Sequence, residues 1–117
     1  MTRVLVVEDE PEIRGIMAEA LADEGYEVAS AVDGMTALEL LRAQAHDLAV
    51  VDLMMPGMDG RRFLSECRAD PCCAALQIVV VTAGRATDVE DLNVQAIVPK
   101  PFDLNELVET VLRLAPA

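Results

Sequence analysis

The chain has 117 residues, of which 53% are hydrophobic, and carries a formal net charge of −12. This length and composition allow one domain with a packed core, which we expect to span residues 1–117. The acidic excess argues against a nucleic-acid-binding face. The sequence has neither a recognisable signal peptide nor an apolar run of the roughly 18 residues that a membrane helix needs, so it predicts neither secretion nor a membrane span.

Short apolar runs alternate with amphipathic segments along the chain. The runs with strand character are Arg3–Val7, Tyr26–Ser30, Leu48–Asp52, Ile78–Thr82 and Ala96–Val98. The helical patterns begin at Pro11, Asp33-Gly34, Asp59-Gly60, Arg85 and Asp103. Five successive strand–helix units predict an α/β fold with a five-stranded parallel sheet and helices on both faces.

The ends of several helices are also marked in the sequence. Pro11 suits the first turn of a helix and Gly25 suits its end. The apolar residues of this first helix are Ile13, Ile16, Met17, Ala20 and Leu21. Asp103 and Glu106 have the spacing of a capping box at the start of the last helix.

The three cysteines indicate the cellular environment. Cys67, Cys72 and Cys73 are odd in number and lack zinc-ligand spacing. We therefore expect reduced thiols that act as small buried or loop-lining residues in a cytoplasmic protein.

The third strand carries the residue that we expect to be reactive. The continuous hydrophobicity of Leu48–Val51 is typical of a strand that is buried on both faces of a parallel sheet. It ends at Asp52, just before the Pro56-Gly57 turn. Open α/β sheets bind ligands at the carboxyl ends of their strands, so the position of Asp52 predicts a functional carboxylate.

Other polar residues end neighbouring strands. Glu8 and Asp9 follow the first strand, Thr82 ends the fourth and Lys100 follows the fifth. At about 4 Å and an effective dielectric of about 20, each pair of carboxylates would repel by about 4 kcal/mol. A hard divalent cation such as Mg²⁺ would relieve this repulsion, and Lys100 adds a fixed positive charge. The set suits phosphoryl transfer onto a carboxylate.

Four motifs then carry a family resemblance. They are Val6-Val7-Glu8-Asp9-Glu10, Asp52-Leu53-Met54-Met55-Pro56-Gly57-Met58-Asp59-Gly60, Thr82-Ala83 and Lys100-Pro101-Phe102. Over its whole length the chain resembles the receiver domains of bacterial two-component response regulators, in particular the single-domain chemotaxis type. The resemblance implies a flavodoxin-like (βα)5 fold with strand order 2-1-3-4-5.

The resemblance also implies a role for each site residue. Asp52 would accept a phosphoryl group from a sensor histidine kinase or a histidine phosphotransfer protein, and the receiver would then signal to a downstream protein target. Mg²⁺ would be held by Glu8, largely through water, by Asp9 and Asp52, and by the backbone carbonyl of Met54. Thr82 and Lys100 would hold the phosphoryl oxygens, and Lys100-Pro101 would be a cis peptide.

Some positions depart from the family pattern. Ile97 stands where receivers commonly have Tyr or Phe, which puts an aromatic rotamer switch in doubt. The segment between Thr82 and Lys100 is about one helical turn short, so we expect a short or frayed fourth helix over Arg85–Asn93. Met54 and Gly84 supply no group to orient water, which favours slow to moderate autodephosphorylation.

Three alternatives stay open. A phosphohydrolase with an aspartyl nucleophile would need a second Asp where this chain has Met54, which argues against an enzyme. An unphosphorylated pseudo-receiver would be a pure interaction module. The chain is also compatible with a receiver excised from a longer regulator or hybrid kinase. We expect a monomer or weak homodimer, with neither a nucleic acid nor a membrane as partner.

Overall fold

A computed structural model describes residues 1–53, 60–82 and 93–117. The strands within these ranges are β1 (Arg3–Val7), β2 (Glu27–Ala31), β3 (Leu48–Asp52), β4 (Gln77–Thr82) and β5 (Ala96–Pro99). They form one sheet in the order β2-β1-β3-β4-β5. All four neighbouring pairs are parallel. The expected parallel sheet and its strand order are therefore confirmed.

Helices cover both faces of the sheet. Within the described ranges they are α1 (Pro11–Asp23), α2 (Gly34–Ala43), α3 (Gly60–Ala69) and α4 (Leu104–Leu114). One buried cluster contains residues of α2 and α3, including Leu41 and Phe63. The other contains residues of α1 and α4, including Met17 and Leu107. Because β3 contributes to both clusters, every one of its residues is buried, as its continuous hydrophobicity predicts.

Local sequence signals explain most helix boundaries. Pro11 occupies the first turn of α1, and Gly25 follows the helix with a φ of 102°, a conformation that favours glycine. The Asp33 carboxylate caps α2 by accepting a hydrogen bond from the Thr36 amide at 2.8 Å. Asp103 caps α4 in the same way, with the Asn105 amide as its donor.

The structure corrects three details of these expectations. β2 runs from Glu27 to Ala31 rather than from Tyr26 to Ser30, because the Tyr26 amide donates a hydrogen bond to the Leu21 carbonyl in the last turn of α1 instead of to a neighbouring strand. Ile16 has helical spacing but is 54% exposed, so it is not a core residue. The Asp103 carboxylate that caps α4 accepts a hydrogen bond from the Asn105 amide at the second helical position, rather than from the Glu106 amide at the third as in a capping box.

Some expectations concern residues outside the described ranges. The predicted helix over 85–93 lies outside them apart from Asn93, which has a left-handed φ of 60°. Met54 and Gly84 also lie outside. Among the helices that are described, none combines the length and apolar character needed to span a membrane. All three cysteines are free thiols, and two of them, Cys67 and Cys73, are buried.

Candidate functional site

The parallel sheet brings the predicted site residues to one edge. β1 and β4 both pair with β3, the strand that ends at Asp52. Glu8 and Asp9, which follow β1, and Thr82, which ends β4, therefore lie at the same edge of the sheet as Asp52. Lys100 directly follows β5, and its amide donates a hydrogen bond to the Thr82 carbonyl at 3.0 Å. The juxtaposition predicted from the strand ends is therefore present, and it results from register rather than from local sequence.

Asp52 is the buried centre of the site. Its side chain is 2% exposed, and its Oδ2 accepts a hydrogen bond from Lys100 Nζ at 2.8 Å. Burial alone would lower the pKa of Lys100. The bond to Asp52 and the charges of Asp52, Glu8 and Asp9 outweigh burial and raise that pKa, so Lys100 stays cationic. The ion pair gives Asp52 a fixed positive partner on one side.

Glu8 lies on the other side of Asp52 and is itself buried. Burial, a hydrogen bond to Asp52 and the Asp52 charge raise the pKa of Glu8 from 4.5 to about 8, while the Lys100 charge opposes this rise. Within the described part of the chain, Glu8 Oε2 is buried without a hydrogen-bond partner. Such an oxygen is costly unless something else binds it.

The carboxylates are arranged as a cation site would require. One oxygen each from Glu8, Asp9 and Asp52 lies within 4.8 Å of the other two. A Mg²⁺ ion prefers oxygen ligands and retains several waters, so three carboxylates are a suitable donor set. The unsatisfied Glu8 oxygen fits the same interpretation, because a hydrated cation would supply its missing partner. The expected fourth donor, the Met54 carbonyl, lies outside the described residues.

Two further features frame the site. Thr82 is 1% exposed at the end of β4. The Lys100-Pro101 peptide is cis, as the family resemblance implies.

Arg14 is a neighbour that the sequence reasoning missed. Its guanidinium donates hydrogen bonds to the backbone carbonyls of Glu8 and Asp9. The only signal for it in the sequence is a basic residue in the first turn of α1, where the helix dipole favours acidic residues.

Comparison with known proteins decides the family. Residues 4–112 match the family model described as "Response regulator receiver domain". The chain belongs to the response regulator receiver family. Receivers are signalling modules of two-component systems, and the flavodoxin-like fold described above is the one they share.

Individual receivers and regulators are similar over nearly the whole chain. The chemotaxis protein CheY4 of Vibrio cholerae is 29% identical with a TM-score of 0.90, covering 97% of this chain and 98% of that one. The response regulator TrrA of Thermotoga maritima, solved in complex with Mg²⁺-BeF, is 35% identical with a TM-score of 0.86, covering 97% and 99%. Sporulation initiation phosphotransferase F of Bacillus subtilis is 29% identical, covering 97% and 94%.

Other relatives are longer than this chain. The regulatory protein AtoC of Escherichia coli is 37% identical over 92% of this chain but only 24% of its own length. The transcriptional regulatory protein TctD of Salmonella typhimurium is 36% identical over 90% of this chain but only 48% of its own length. The chain thus spans half or less of these curated regulators.

Proposed function

We propose that this receiver accepts a phosphoryl group on Asp52 in a Mg²⁺-dependent reaction. The donor would be a phosphohistidine on a sensor histidine kinase or a histidine phosphotransfer protein in the cytoplasm. The observation that carries the proposal is the 2.8 Å contact between Lys100 Nζ and Asp52 Oδ2 inside a cluster of carboxylates. A buried nucleophile with a fixed cation on one side and metal-ligating groups on the other suits phosphoryl transfer.

In the proposed step, a carboxylate oxygen of Asp52 attacks phosphorus. A P–O bond forms as the P–N bond to the donor imidazole breaks, and the imidazole leaves and takes up a proton. Lys100 and the Thr82 hydroxyl would contact the phosphoryl oxygens. Glu8, Asp9 and Asp52, with the Met54 carbonyl, would hold Mg²⁺, which neutralises phosphoryl charge when bound.

The proposed output is a conformational change that a downstream protein target recognises. Lys100 connects the site to β5 through its amide bond to the Thr82 carbonyl. Ile97 on β5 packs partly buried against the cluster beneath α2 and α3, in the place of the usual aromatic residue. We propose that a shift of Thr82 and Lys100 reaches β5 without an aromatic rotamer change. The receiver would act as a monomer or weak homodimer.

Treatment with acetyl phosphate tests the proposal. We expect an increase in intact mass by one phosphoryl group, which requires Mg²⁺ and is abolished by Asp52→Asn. Asp23→Asn is the matched control, because Asp23 is an exposed residue at the far end of α1. Failure of the wild type to form the adduct with Mg²⁺ would favour the pseudo-receiver, and labelling that survives Asp52→Asn would place the acceptor elsewhere.

A further inference from the structure

The side chain of Arg14 turns back from α1 toward the end of β1. Its Nη1 donates to the Glu8 carbonyl at 2.9 Å and to the Asp9 carbonyl at 3.3 Å. Both carbonyls belong to residues that carry carboxylates of the acidic cluster. One nitrogen of Arg14 therefore contacts the main chain of two neighbouring candidate metal ligands.

Helix formation does not explain an arginine at this position. A cation in the first turn of a helix faces the positive end of the helix dipole, which is unfavourable. In the part of the chain that the structure describes, Arg14 forms no ion pair that would offset this cost. Its guanidinium instead donates hydrogen bonds to the two backbone carbonyls. The role of Arg14 therefore lies in the loop between β1 and α1.

We propose that Arg14 is a positioning residue for the Mg²⁺ and phosphoryl site, acting through the main chain of Glu8 and Asp9. This inference rests on the function proposed above. Arg14 itself need not touch Mg²⁺ or the phosphoryl group. Its effect is to fix the direction in which the two carboxylates leave the backbone.

The hydrogen bonds around Glu8 support this role. The Glu8 amide donates to the Ala31 carbonyl at 3.1 Å, and the Glu8 carbonyl accepts from Arg14. The residue is thus held on one side by the end of β2 and on the other by α1. Without Arg14, the Glu8 and Asp9 carbonyls would lose a fixed donor, and the peptide planes that orient both carboxylates would be free to rotate.

The choice of partners also suits a metal site. Arg14 bonds to backbone carbonyl oxygens, so it leaves the side-chain carboxyl oxygens of Glu8 and Asp9 available to a cation. An arginine that paired directly with these carboxylates would compete with Mg²⁺. Groups that orient metal ligands without touching the metal typically change affinity by about 10–100-fold when removed.

The test measures Mg²⁺ affinity by calorimetry in Arg14→Ala, Arg14→Lys and Arg113→Ala. We expect Arg14→Ala to raise the Mg²⁺ Kd by about tenfold or more. Lysine keeps the charge and a donor but is one bond shorter, so Arg14→Lys should recover part of the affinity. Arg113→Ala removes the same charge from an exposed site in the last turn of α4 and should leave the Kd unchanged.

Amide hydrogen exchange in EDTA supplies a readout that does not depend on the metal. We expect Arg14→Ala to speed exchange at Asp9 and Glu10 while the global unfolding free energy changes little. The positioning role would be overturned if Arg14→Ala bound Mg²⁺ with the same Kd as the wild type, or if amide exchange at Asp9 and Glu10 were as slow as in the wild type. A wild-type protein that binds no Mg²⁺ would instead overturn the proposed function, and the exchange result would decide separately whether Arg14 fixes the loop.

Discussion

At the scale of single residues, the protonation state of Glu8 links the site to pH. Its pKa is raised to about 8 by burial and by the hydrogen bond and charge of Asp52. In the metal-free protein near neutral pH, Glu8 is therefore mostly protonated and carries no charge that would repel Asp52. Mg²⁺ binding would require that proton to leave.

The first prediction concerns stability against pH in EDTA. The folded state holds the Glu8 proton up to about pH 8, while the unfolded state loses it near 4.5. Between these values the folded state binds more protons, so Glu8 makes the unfolding free energy fall as pH rises, by at most about 1.4 kcal/mol per pH unit. Urea unfolding across this window should show the fall in the wild type.

The control for this prediction is Glu8→Gln, which keeps the side-chain shape but has no proton to lose. Its unfolding free energy should fall less steeply over the same window. Equal slopes in the wild type and Glu8→Gln would contradict the assigned protonation state. Asp33 and Asp70 do not confound the comparison, because both proteins contain them and hydrogen bonds from the Thr36 amide and from Arg42, respectively, lower their pKa values from 3.8.

At the scale of secondary-structure elements, the start of α3 lies against the end of β3. A Cβ on Gly60 would lie 2.6 Å from Leu53 Cα and 2.7 Å from the Leu53 carbonyl oxygen. These are backbone atoms of the residue that directly follows Asp52, so they cannot move without moving the site. Only glycine permits this contact between the helix and the strand end.

The second prediction follows from that contact. Gly60→Ala should lower the unfolding free energy by about 1–3 kcal/mol and slow acetyl phosphate labelling of Asp52, because Leu53 must shift. Gly15→Ala is the matched control, since nothing lies within 4 Å of its Cβ position in the middle of α1. It should stabilise the protein by about 0.5–1 kcal/mol. Unimpaired labelling in Gly60→Ala would show that this contact does not position Asp52.

The elements also differ in how far the sequence predicts them. Strands such as β3 and β4 are continuous apolar runs, so their existence and their polar ends follow from the residues alone. The strand order depends on pairing between distant segments, and only the family resemblance supplied it. The unsatisfied oxygen of Glu8 and the reach of Arg14 depend on how side chains from separate elements meet, which no local pattern encodes.

At the scale of the whole molecule, a net charge of −12 means that cations can stabilise the fold in two ways. Salt screens repulsion between exposed carboxylates over distances of about 10 Å at 0.1 M. A Mg²⁺ ion bound by Glu8, Asp9 and Asp52 would instead stabilise the folded state by mass action at one place. Screening depends on ionic strength, whereas binding depends on the Mg²⁺ concentration and on the three side chains that would hold the ion.

The third prediction separates them by thermal unfolding in Mg²⁺ and in NaCl of matched ionic strength. At a free Mg²⁺ concentration of 100 times the Kd, specific binding would add about 2.7 kcal/mol to the unfolding free energy, whereas NaCl supplies only screening. Asp9→Asn removes one proposed ligand and should abolish the excess, while Asp23→Asn removes an equal charge at an exposed position and should retain it. Equal stabilisation by both salts would mean that the acidic cluster responds to ionic strength rather than binding Mg²⁺.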